Sequence, residues 1–347
     1  MNIYIKSFNR PLYLERCIKS IYLNVKNYKK IIILDDGTLP EYLEVLHNKY
    51  TELEIRISPG AKQKEQIIRS MISDFNQKKD MSTTKYPNIS PADFWTSEIG
   101  RDSEDYCMIL EDDIWFTQKL DLDLIEKNME FNNTLNVKLI WLGNKKISGG
   151  EYKIEEVLLD DKLILQYVKP PLITKLEKSK AYNLYLKYCK RFILNKVEIY
   201  SIYQVAMAIY KKDYWLNSWK GIPKWNDERY QLKKAVDYIR EAFLRGENPR
   251  FAKTEKEVLC HGFSTSVTLN GHALNKGLNC LVFNEFLNRK WLQGKINVME
   301  SYPKDFSEEY LINVLRDAGM VDEDISKWQQ WKREVIKQYE DIGCENL

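Results

Sequence analysis

Three consecutive carboxylates, Glu111, Asp112 and Asp113, follow the apolar run 106–110 and precede a second apolar stretch at 114–116. The first run has the β-branched and aromatic composition of a buried strand. Adjacent acids at the end of such a strand are unfavourable, because burial desolvates them and their charges repel. A divalent cation would relieve both effects, and Mg²⁺ or Mn²⁺ binds one or two carboxylates together with substrate phosphates. An acidic turn with Asp112 or Asp113 as a helix N-cap is the alternative interpretation.

Two other polar clusters follow predicted strands in the first part of the chain. Residues 9–10 follow a strand at 2–7, and the acids 35–36 follow the apolar run 30–34. Strands and helices alternate over residues 2–75, which predicts a parallel sheet with right-handed crossovers. Ligands of such sheets bind at the carboxyl ends of the strands. We therefore expect the three polar clusters to meet at one edge of the sheet, although strand ends also need polar turns for structural reasons.

Size and composition favour one large α/β domain with an appendage, or two domains. The chain has 347 residues, 44% hydrophobic residues and a net charge of +3, which argues against a strongly basic nucleic-acid-binding protein. The six cysteines form no C-x-x-C pair, which argues against zinc-ribbon and thioredoxin-like sites. Their apolar surroundings favour reduced thiols and a cytoplasmic location. The sequence has no signal-peptide pattern and no apolar run long enough to predict a transmembrane helix.

The later part of the chain has a less regular pattern. The polar stretch 76–104 predicts a long loop, which in a compact domain is usually functional or mobile. Strands are predicted at 137–142 and 201–210, and a long helix at 229–244. Helical periodicity dominates beyond residue 283, where we place a soft boundary.

Motifs within residues 3–113 resemble glycosyltransferase family 2, whose members have the GT-A fold. Segment 6–11 is similar to the end of the family's first strand, and 33–38 to its hydrophobic-Asp-Asp-Gly-Ser segment. Segment 110–113 resembles the DxD element in a Glu-Asp-Asp form, and a weaker match follows at 208–215. The resemblance implies an α/β GT-A fold with a mostly parallel central sheet flanked by helices and a C-terminal helical appendage.

The resemblance also sets the predicted domain organisation. Residues 1–283 would form the GT-A domain, with a nucleotide-binding half at 1–115 and an acceptor half at 116–283. Residues 284–347 would form a helical C-terminal extension, which matches no part of the family pattern.

The activity implied by the resemblance is metal-dependent, inverting transfer of a sugar. The donor would be a nucleotide-diphosphate sugar, with a UDP-sugar favoured, and the cofactor Mn²⁺ or Mg²⁺. A glycan is the favoured hydroxyl acceptor, with a protein or modified nucleic acid left open. The alternative is a non-catalytic protein of the same fold that binds a nucleotide sugar, a glycan or nucleic acid. No glycine-rich loop follows the first strand, which argues against sugar nucleotidyltransferases and dinucleotide oxidoreductases.

Residues near the strand ends are implied to hold the nucleotide. The predicted contacts are Ser7, Phe8, Asn9, Arg10, Asp35, Asp36, Lys62, Arg69 and Asp112. Phe8 would stack on the base, and Asp36 or Asp35 would hydrogen-bond the base or ribose. Lys62 and Arg69 could add phosphate contacts, or they could be ordinary solvated helix charges.

The resemblance further implies that Asp113 and His261 ligate the metal. Asp227 or Glu228 is the candidate general base, since a carboxylate in an apolar site can have a pKa near the working pH. A base on the acceptor side implies direct displacement with inversion. The same two residues could instead cap the helix predicted from residue 229.

Aromatic and apolar residues recur at helical spacing over 328–342, among several lysines and arginines. This stripe predicts a helix that docks on the body of the protein or, alternatively, makes a peripheral membrane or nucleic-acid contact.

Overall fold

The computed structural model describes residues 1–77, 87, 89–149, 153–171, 197–221, 228–267 and 278–346. Its strands are β1 (Asn2–Ser7), β2 (Val25–Lys26), β3 (Ile31–Asp35), β4 (Glu54–Ile57), β5 (Tyr106–Glu111), β6 (Ile114–Phe116), β7 (Leu120–Asp121), β8 (Thr134–Lys138), β9 (Lys153–Leu158), β10 (Ile164–Val168), β11 (Ala208–Lys211), β12 (Arg250–Thr254) and β13 (Leu259–His261). Its α-helices are α1 (Pro11–Asn24), α2 (Pro40–Lys49), α3 (Ala61–Asn76), α4 (Ala92–Gly100), α5 (Leu122–Phe131), α6 (Lys145–Ser148), α7 (Lys212–Trp219), α8 (Glu228–Leu244), α9 (Cys280–Leu292), α10 (Glu308–Asp317) and α11 (Asp322–Asp341). A short 3₁₀-helix spans Val197–Ser201.

The main sheet has nine strands within the described ranges, in the order β4-β3-β1-β5-β11-β8-β12-β10-β9. The four strands β4, β3, β1 and β5 run parallel to one another. Strand β11 is antiparallel to both of its neighbours, and β12 is parallel to β8. Strands β10 and β9 extend the sheet in antiparallel fashion. The predicted α/β fold with a large central sheet flanked by helices is confirmed.

Continuous apolar sequence in the central strands reflects burial on both faces of the sheet. Every residue of β1 and β3 is buried, and two hydrophobic clusters cover the two faces. In the register of the sheet, Ser7 lies beside Asp35, and Lys6 lies beside Glu111. The carboxyl ends of β3, β1 and β5 are therefore level, so the polar residues that follow them emerge at one edge.

The stretch 76–104, predicted to be a loop, contains helix α4, so that prediction was wrong for Ala92–Gly100. Ile99 is fully buried in the second hydrophobic cluster, and the partly buried Phe94 and Trp95 pack against it. Tertiary packing of these apolar residues stabilises a helix in a segment whose overall composition is polar. Residues 78–86 lie outside the described part of the chain.

The strand predicted at 137–142 ends earlier, at Lys138. Leu142 and Gly143 have φ angles of 52° and 75°, so the backbone turns there and leads into the short helix α6.

The C-terminal helices pack against the body of the protein. Trp291, Leu315 and Trp328 belong to the same hydrophobic cluster as the sheet residues, and Trp331 is also buried. The apolar stripe of α11 is thus docked, and its burial gives no support to the predicted membrane contact. The predicted boundary after residue 283 falls inside α9. Within the described residues, no helix is both long and apolar enough to cross a membrane.

Candidate functional site

Asp112 joins the end of β1 to the turn after β5. Its backbone N–H donates to the carbonyl of Lys6 at 3.1 Å. Its Oδ2 accepts hydrogen bonds from the Ser7 hydroxyl at 3.2 Å and from the Phe8 backbone N–H at 3.0 Å. These contacts position the predicted nucleotide-binding segment of β1 directly against the acidic turn.

Arg10 connects both aspartates of this turn. Its Nη1 donates to Asp113 Oδ2 at 2.6 Å, and its Nη2 donates to Asp112 Oδ1. All three side chains are buried. The preceding residue, Asn9, has a φ of 48°, a left-handed conformation that asparagine tolerates better than most residues. One guanidinium therefore faces two carboxylates, which leaves one negative charge without compensation.

The two aspartates differ in their electrostatic environments. Burial raises the pKa of Asp112 to about 6, with Arg10 opposing the shift and the charge of Asp113 adding to it. Burial also acts to raise the pKa of Asp113, but Arg10 and His261 oppose it and hold that pKa below its ordinary value. Asp113 is consequently an ionised carboxylate at neutral pH, as a cation ligand must be.

His261 reaches Asp113 because β13 pairs with β6, in a register that places His261 opposite Ile114. The backbone N–H of Gly262 also donates to the Asp113 carbonyl at 2.9 Å. His261 Nε2 then lies 3.7 Å from Asp113 Oδ2. A Cβ on Gly262 would lie 2.7 Å from the Tyr13 ring, so only glycine permits this close approach.

This pair suits part of a metal site. Asp113 Oδ1 and His261 Nδ1 are buried and have no hydrogen-bond partner within the described structure. The described residues contain no cluster of three or more His, Cys, Asp or Glu side chains that could hold a cation. The described residues therefore offer two donors here, which fits a Mg²⁺ or Mn²⁺ ion whose other ligands come from phosphates and water.

A second cluster lies at the end of β3. Asp35 accepts hydrogen bonds from the backbone N–H groups of Gly37 at 3.0 Å and Thr38 at 3.1 Å, so its carboxylate shapes the turn. Asp36 instead pairs with Lys64, which is also buried. Asp36 Oδ1 has no hydrogen-bond partner in the described structure. Of the two predicted aspartates, Asp36 is the one that has a buried oxygen without a hydrogen-bond partner in the described structure.

Lys64 was missed by the sequence analysis. Its ammonium lies 5.1 Å from the centre of the Phe8 ring, which places it against two predicted nucleotide contacts. Lys64 falls on the apolar stripe of α3, one turn before the buried Ile67 and Ile68. A lysine on a buried helical stripe was the signal that could have identified it.

The structure does not bring the predicted contacts Lys62 and Arg69 into this cluster. Lys62 is exposed on α3. Arg69 is also exposed, donates to Glu41 and Glu65 at 2.9 Å each, and lines a different surface cavity. These contacts fit the alternative interpretation of both residues as solvated helix charges.

Of the two candidate bases, Asp227 lies outside the described residues, and Glu228 begins α8. Burial raises the pKa of Tyr339 to about 12, and the charges of Asp113, Glu111 and Glu228 add to the shift. Glu228 thus contributes to the electrostatics of the same tyrosine as the acidic turn does. Its role as a base stays a prediction.

A cavity of about 380 Å³ opens beside the acidic turn. One wall consists of Arg10, Glu111, Asp113, His261 and the segment that follows β13. The rest of the lining is one face of α11, formed by Trp331, Glu334, Val335, Gln338 and Tyr339. The cavity is within the size range of small-molecule sites.

No protein-family model matches the sequence, and no curated protein matches it. Among solved structures, Staphylococcus aureus TarS aligns with a TM-score of 0.41 and 9% identity over 91% of this chain and 42% of its own. This chain thus spans less than half of that TarS chain. TarS 1–349 in complex with UDP aligns with a TM-score of 0.37 and 11% identity, over 97% of this chain and 91% of its own.

Glucosyl-3-phosphoglycerate synthase from Mycobacterium tuberculosis, in complex with Mn²⁺ and UDP-glucose, gives a TM-score of 0.39 and 12% identity. The alignment covers 85% of this chain and 79% of the synthase chain. These similarities are low, so the fold assignment rests on the order and directions of the strands. The chain has an α/β fold with a mostly parallel central sheet flanked by helices, the architecture that the resemblance to the GT-A fold implied.

Proposed function

We propose that the protein is a glycosyltransferase that moves a sugar from a nucleotide-diphosphate sugar, with UDP favoured, to a hydroxyl acceptor such as a glycan. The observation that carries the proposal is Asp113, a buried and ionised carboxylate with one unpaired oxygen beside His261. It lies at the carboxyl edge of parallel strands, where ligands of α/β sheets bind. Most buried side-chain polar atoms have a hydrogen-bond partner in the protein, so an unpaired carboxylate oxygen at this edge is a candidate ligand atom.

The nucleotide would lie against the ends of β1 and β3. Phe8 offers an aromatic ring, and Asp36 offers an oxygen without a partner. Base-stacking together with a hydrogen bond to base or ribose would orient the donor. Asp112 contributes indirectly, because its hydrogen bonds from Ser7 and Phe8 hold this segment in place.

The diphosphate would lie next to Arg10, Asp113 and His261. Asp113 and His261 would hold Mn²⁺ or Mg²⁺ together with the donor phosphates, and the ion would supply Lewis-acid charge to the leaving diphosphate. The Arg10 guanidinium is fixed in the same cluster and can donate to phosphate oxygens.

Asp227 or Glu228 would accept the proton of the acceptor hydroxyl. With the base on the acceptor side, that oxygen attacks the anomeric carbon directly and the configuration inverts. Closure of the site against water would protect the donor from hydrolysis.

The Arg10 contacts favour one alternative, a non-catalytic protein that binds a nucleotide sugar, a glycan or nucleic acid. In that case the guanidinium would be the permanent partner of both aspartates, and no metal would bind beside them.

Thermal unfolding with UDP-, GDP-, dTDP- and CMP-sugars, with and without Mn²⁺, tests the proposal. We expect the largest rise in Tm with a UDP-sugar plus Mn²⁺, because a ligand that binds only the native state stabilises it. Asp113→Asn should remove the Mn²⁺-dependent part of that rise and lower transfer about 10²- to 10³-fold, the typical effect of losing one transition-state electrostatic contact.

Asp123→Asn, which changes a half-exposed acid on α5, serves as the control and should behave as wild type. No Tm rise with any nucleotide sugar would contradict the proposal. A normal Tm rise without transfer or hydrolysis of any sugar would favour the non-catalytic alternative.

A further inference from the structure

Asp305 lies in the C-terminal extension, between α9 and α10, and its carboxylate contacts two segments of the candidate site. Its Oδ1 accepts a hydrogen bond from the Tyr13 hydroxyl at 3.0 Å. Its Oδ2 accepts hydrogen bonds from the Phe263 backbone N–H at 3.2 Å and from the Ser264 hydroxyl at 3.0 Å. Tyr13 lies in the first turn of α1, and the other two donors follow β13, whose last residue is His261. One carboxylate therefore joins the start of α1 to the segment after His261.

The chain segment 298–306, which carries Asp305, is itself held against α1 and β6. Arg16 of α1 is fully buried and donates hydrogen bonds to three backbone carbonyls of this segment. Trp115 of β6 donates from Nε1 to the Pro303 carbonyl at 2.7 Å, and the Arg16 guanidinium lies 4.3 Å from the centre of the Trp115 ring. Because these donors belong to the protein core, they hold Asp305 in a fixed position.

The pair of strands β6 and β13 holds both proposed metal ligands. Strand β6 begins directly after Asp113, and it pairs with β13, which ends at His261. The Tyr13 ring lies against this pair, 2.7 Å from the position that a Cβ on Gly262 would take. A shift of the Tyr13 ring would therefore displace the residue next to His261. Asp305 restrains the ring through the phenolic hydroxyl.

Tyr13 is a permanent hydrogen-bond donor to Asp305. Burial raises the pKa of the Tyr13 phenol well above its ordinary value, and the charge of Asp305 adds to the shift. The phenol is therefore neutral at physiological pH and keeps its proton for this contact.

The donors around Asp305 require a carboxylate rather than an amide. Oδ2 faces the Phe263 N–H, and Oδ1 faces the Phe306 N–H at 2.7 Å. A backbone N–H can only donate, so both side-chain oxygens must accept. An asparagine at this position would direct its NH₂ group at one of the two N–H groups in either orientation of the amide.

We propose that Asp305 is a positioning residue for the metal site, and that its carboxylate fixes Tyr13 and residues 263–264 so that His261 stays beside Asp113. The inference rests on the proposed function, because the metal role of His261 belongs to that proposal. It adds that the C-terminal extension completes the site, through a residue that contacts neither the metal nor the donor. Residues that orient metal ligands typically change metal affinity about 10- to 100-fold when they are replaced.

Mn²⁺ binding to the full chain in the presence of UDP tests the proposal, with free Mn²⁺ measured by electron paramagnetic resonance. Asp305→Asn should weaken Mn²⁺ binding about 10-fold, the lower end of the usual range, because Asp305 acts through the backbone next to His261. UDP binding without metal should be unchanged. Asp317→Asn alters an exposed acid of the same extension that pairs with Lys290, and this control should behave as wild type.

Tyr13→Phe is a milder variant, because it keeps the ring against Gly262 and removes only the hydroxyl. Mn²⁺ binding should weaken about 3-fold, which corresponds to the loss of one ordinary hydrogen bond. Circular dichroism verifies the fold of each variant. If Asp305→Asn does not fold, Tyr13→Phe decides the question, and wild-type Mn²⁺ affinity in Tyr13→Phe would then overturn the proposal.

Hydrogen–deuterium exchange without metal or nucleotide tests the positioning independently of the proposed function. In Asp305→Asn, peptides that cover residues 259–266 should exchange faster than in wild type. Peptides of β1 and β5 should keep the wild-type rate, because core strands exchange mainly through global opening.

Two results would overturn the inference. One is wild-type Mn²⁺ affinity in folded Asp305→Asn, and the other is an equal acceleration of exchange in all peptides, which a purely structural role produces. Failure of the proposed function looks different, since wild type would then bind no Mn²⁺ with any nucleotide. The exchange pattern of residues 259–266 decides the positioning role by itself in that case.

Discussion

Two ionic clusters lie at the ends of β3 and β5, the strands on either side of β1, and their buried charges have different partners. At the end of β3, Asp36 and Lys64 form an electrically balanced ion pair, while Asp35 beside them is held by backbone N–H groups. At the end of β5, Asp112 and Asp113 share Arg10, so one negative charge remains. The balanced Asp36–Lys64 pair suits recognition of an uncharged base, whereas a residual negative charge beside His261 suits attraction of a cation. The difference in charge balance thus separates the two ends of the proposed donor site.

The difference between the two clusters is tested most severely by Arg10→Met, which leaves two adjacent buried carboxylates without a cation. We expect a loss of about 3–5 kcal/mol in the free energy of unfolding at pH 7.5, measured with urea. Part of the loss should return at pH 5, because a protonated Asp112 needs no positive partner. Arg69→Met removes an arginine with two exposed ion pairs and should cost at most about 1 kcal/mol. Equal losses in the two variants would contradict the assigned role of Arg10.

The free energy of unfolding should be less sensitive to Lys64→Met, the corresponding change in the Asp36–Lys64 pair. Only one carboxylate is left unpaired, and burial already raises the pKa of Asp36, which helps it to protonate. We expect a loss of about 1–3 kcal/mol in the same measurement. Lys62→Met alters an exposed lysine of the same helix and should stay within about 0.5 kcal/mol of wild type. A loss as large as that of Arg10→Met would remove the distinction between the clusters.

We expect the smallest effect on stability from Asp35. Burial raises the pKa of its carboxyl group to about 6, although hydrogen bonds from Thr38 and Gly37 oppose the shift. In the unfolded chain an aspartate titrates near 4, so the native state takes up the proton first as pH falls. This contribution to stability is present below pH 4 and is lost as pH rises through 6. Lowering the pH from 7 to 5 should therefore raise the free energy of unfolding by about 1 kcal/mol through Asp35.

Asp35→Asn should therefore flatten the stability profile over this range, while Asp123→Asn should keep the wild-type slope. Urea unfolding at four pH values measures both profiles. An unchanged slope in Asp35→Asn would show that Asp35 titrates normally in the folded protein.

Local sequence patterns were sufficient for the N-terminal half of the fold. The apolar runs of β1, β3 and β5 predicted buried strands, and strand alternation with α1 to α3 predicted that their polar ends would meet. These inferences depend on period and chain order, which are local properties. Helix α4 was not predicted, because packing against the second hydrophobic cluster, rather than the polar composition of the segment, determines its structure.

The site was less predictable because its contacts are remote in sequence. The resemblance predicted that Asp113 and His261 lie together, and the structure places them 3.7 Å apart, while their metal role stays a prediction. Nothing in the local sequence indicated that Arg10 would pair with Asp112 and Asp113, which lie 102 and 103 residues further along the chain. The cavity wall contributed by α11 depends in the same way on packing between distant segments.

The docking of α11 has a consequence for the timing of synthesis. The acidic turn at 111–113 leaves the ribosome more than 200 residues before Tyr339, which faces it across the cavity. Because chains fold from the N-terminus as they emerge, the parallel strands can assemble while the cavity still lacks a wall. A ribosome-bound chain would therefore expose the acidic turn to solvent, and the pocket would be enclosed only when α11 is released and packs against Phe263.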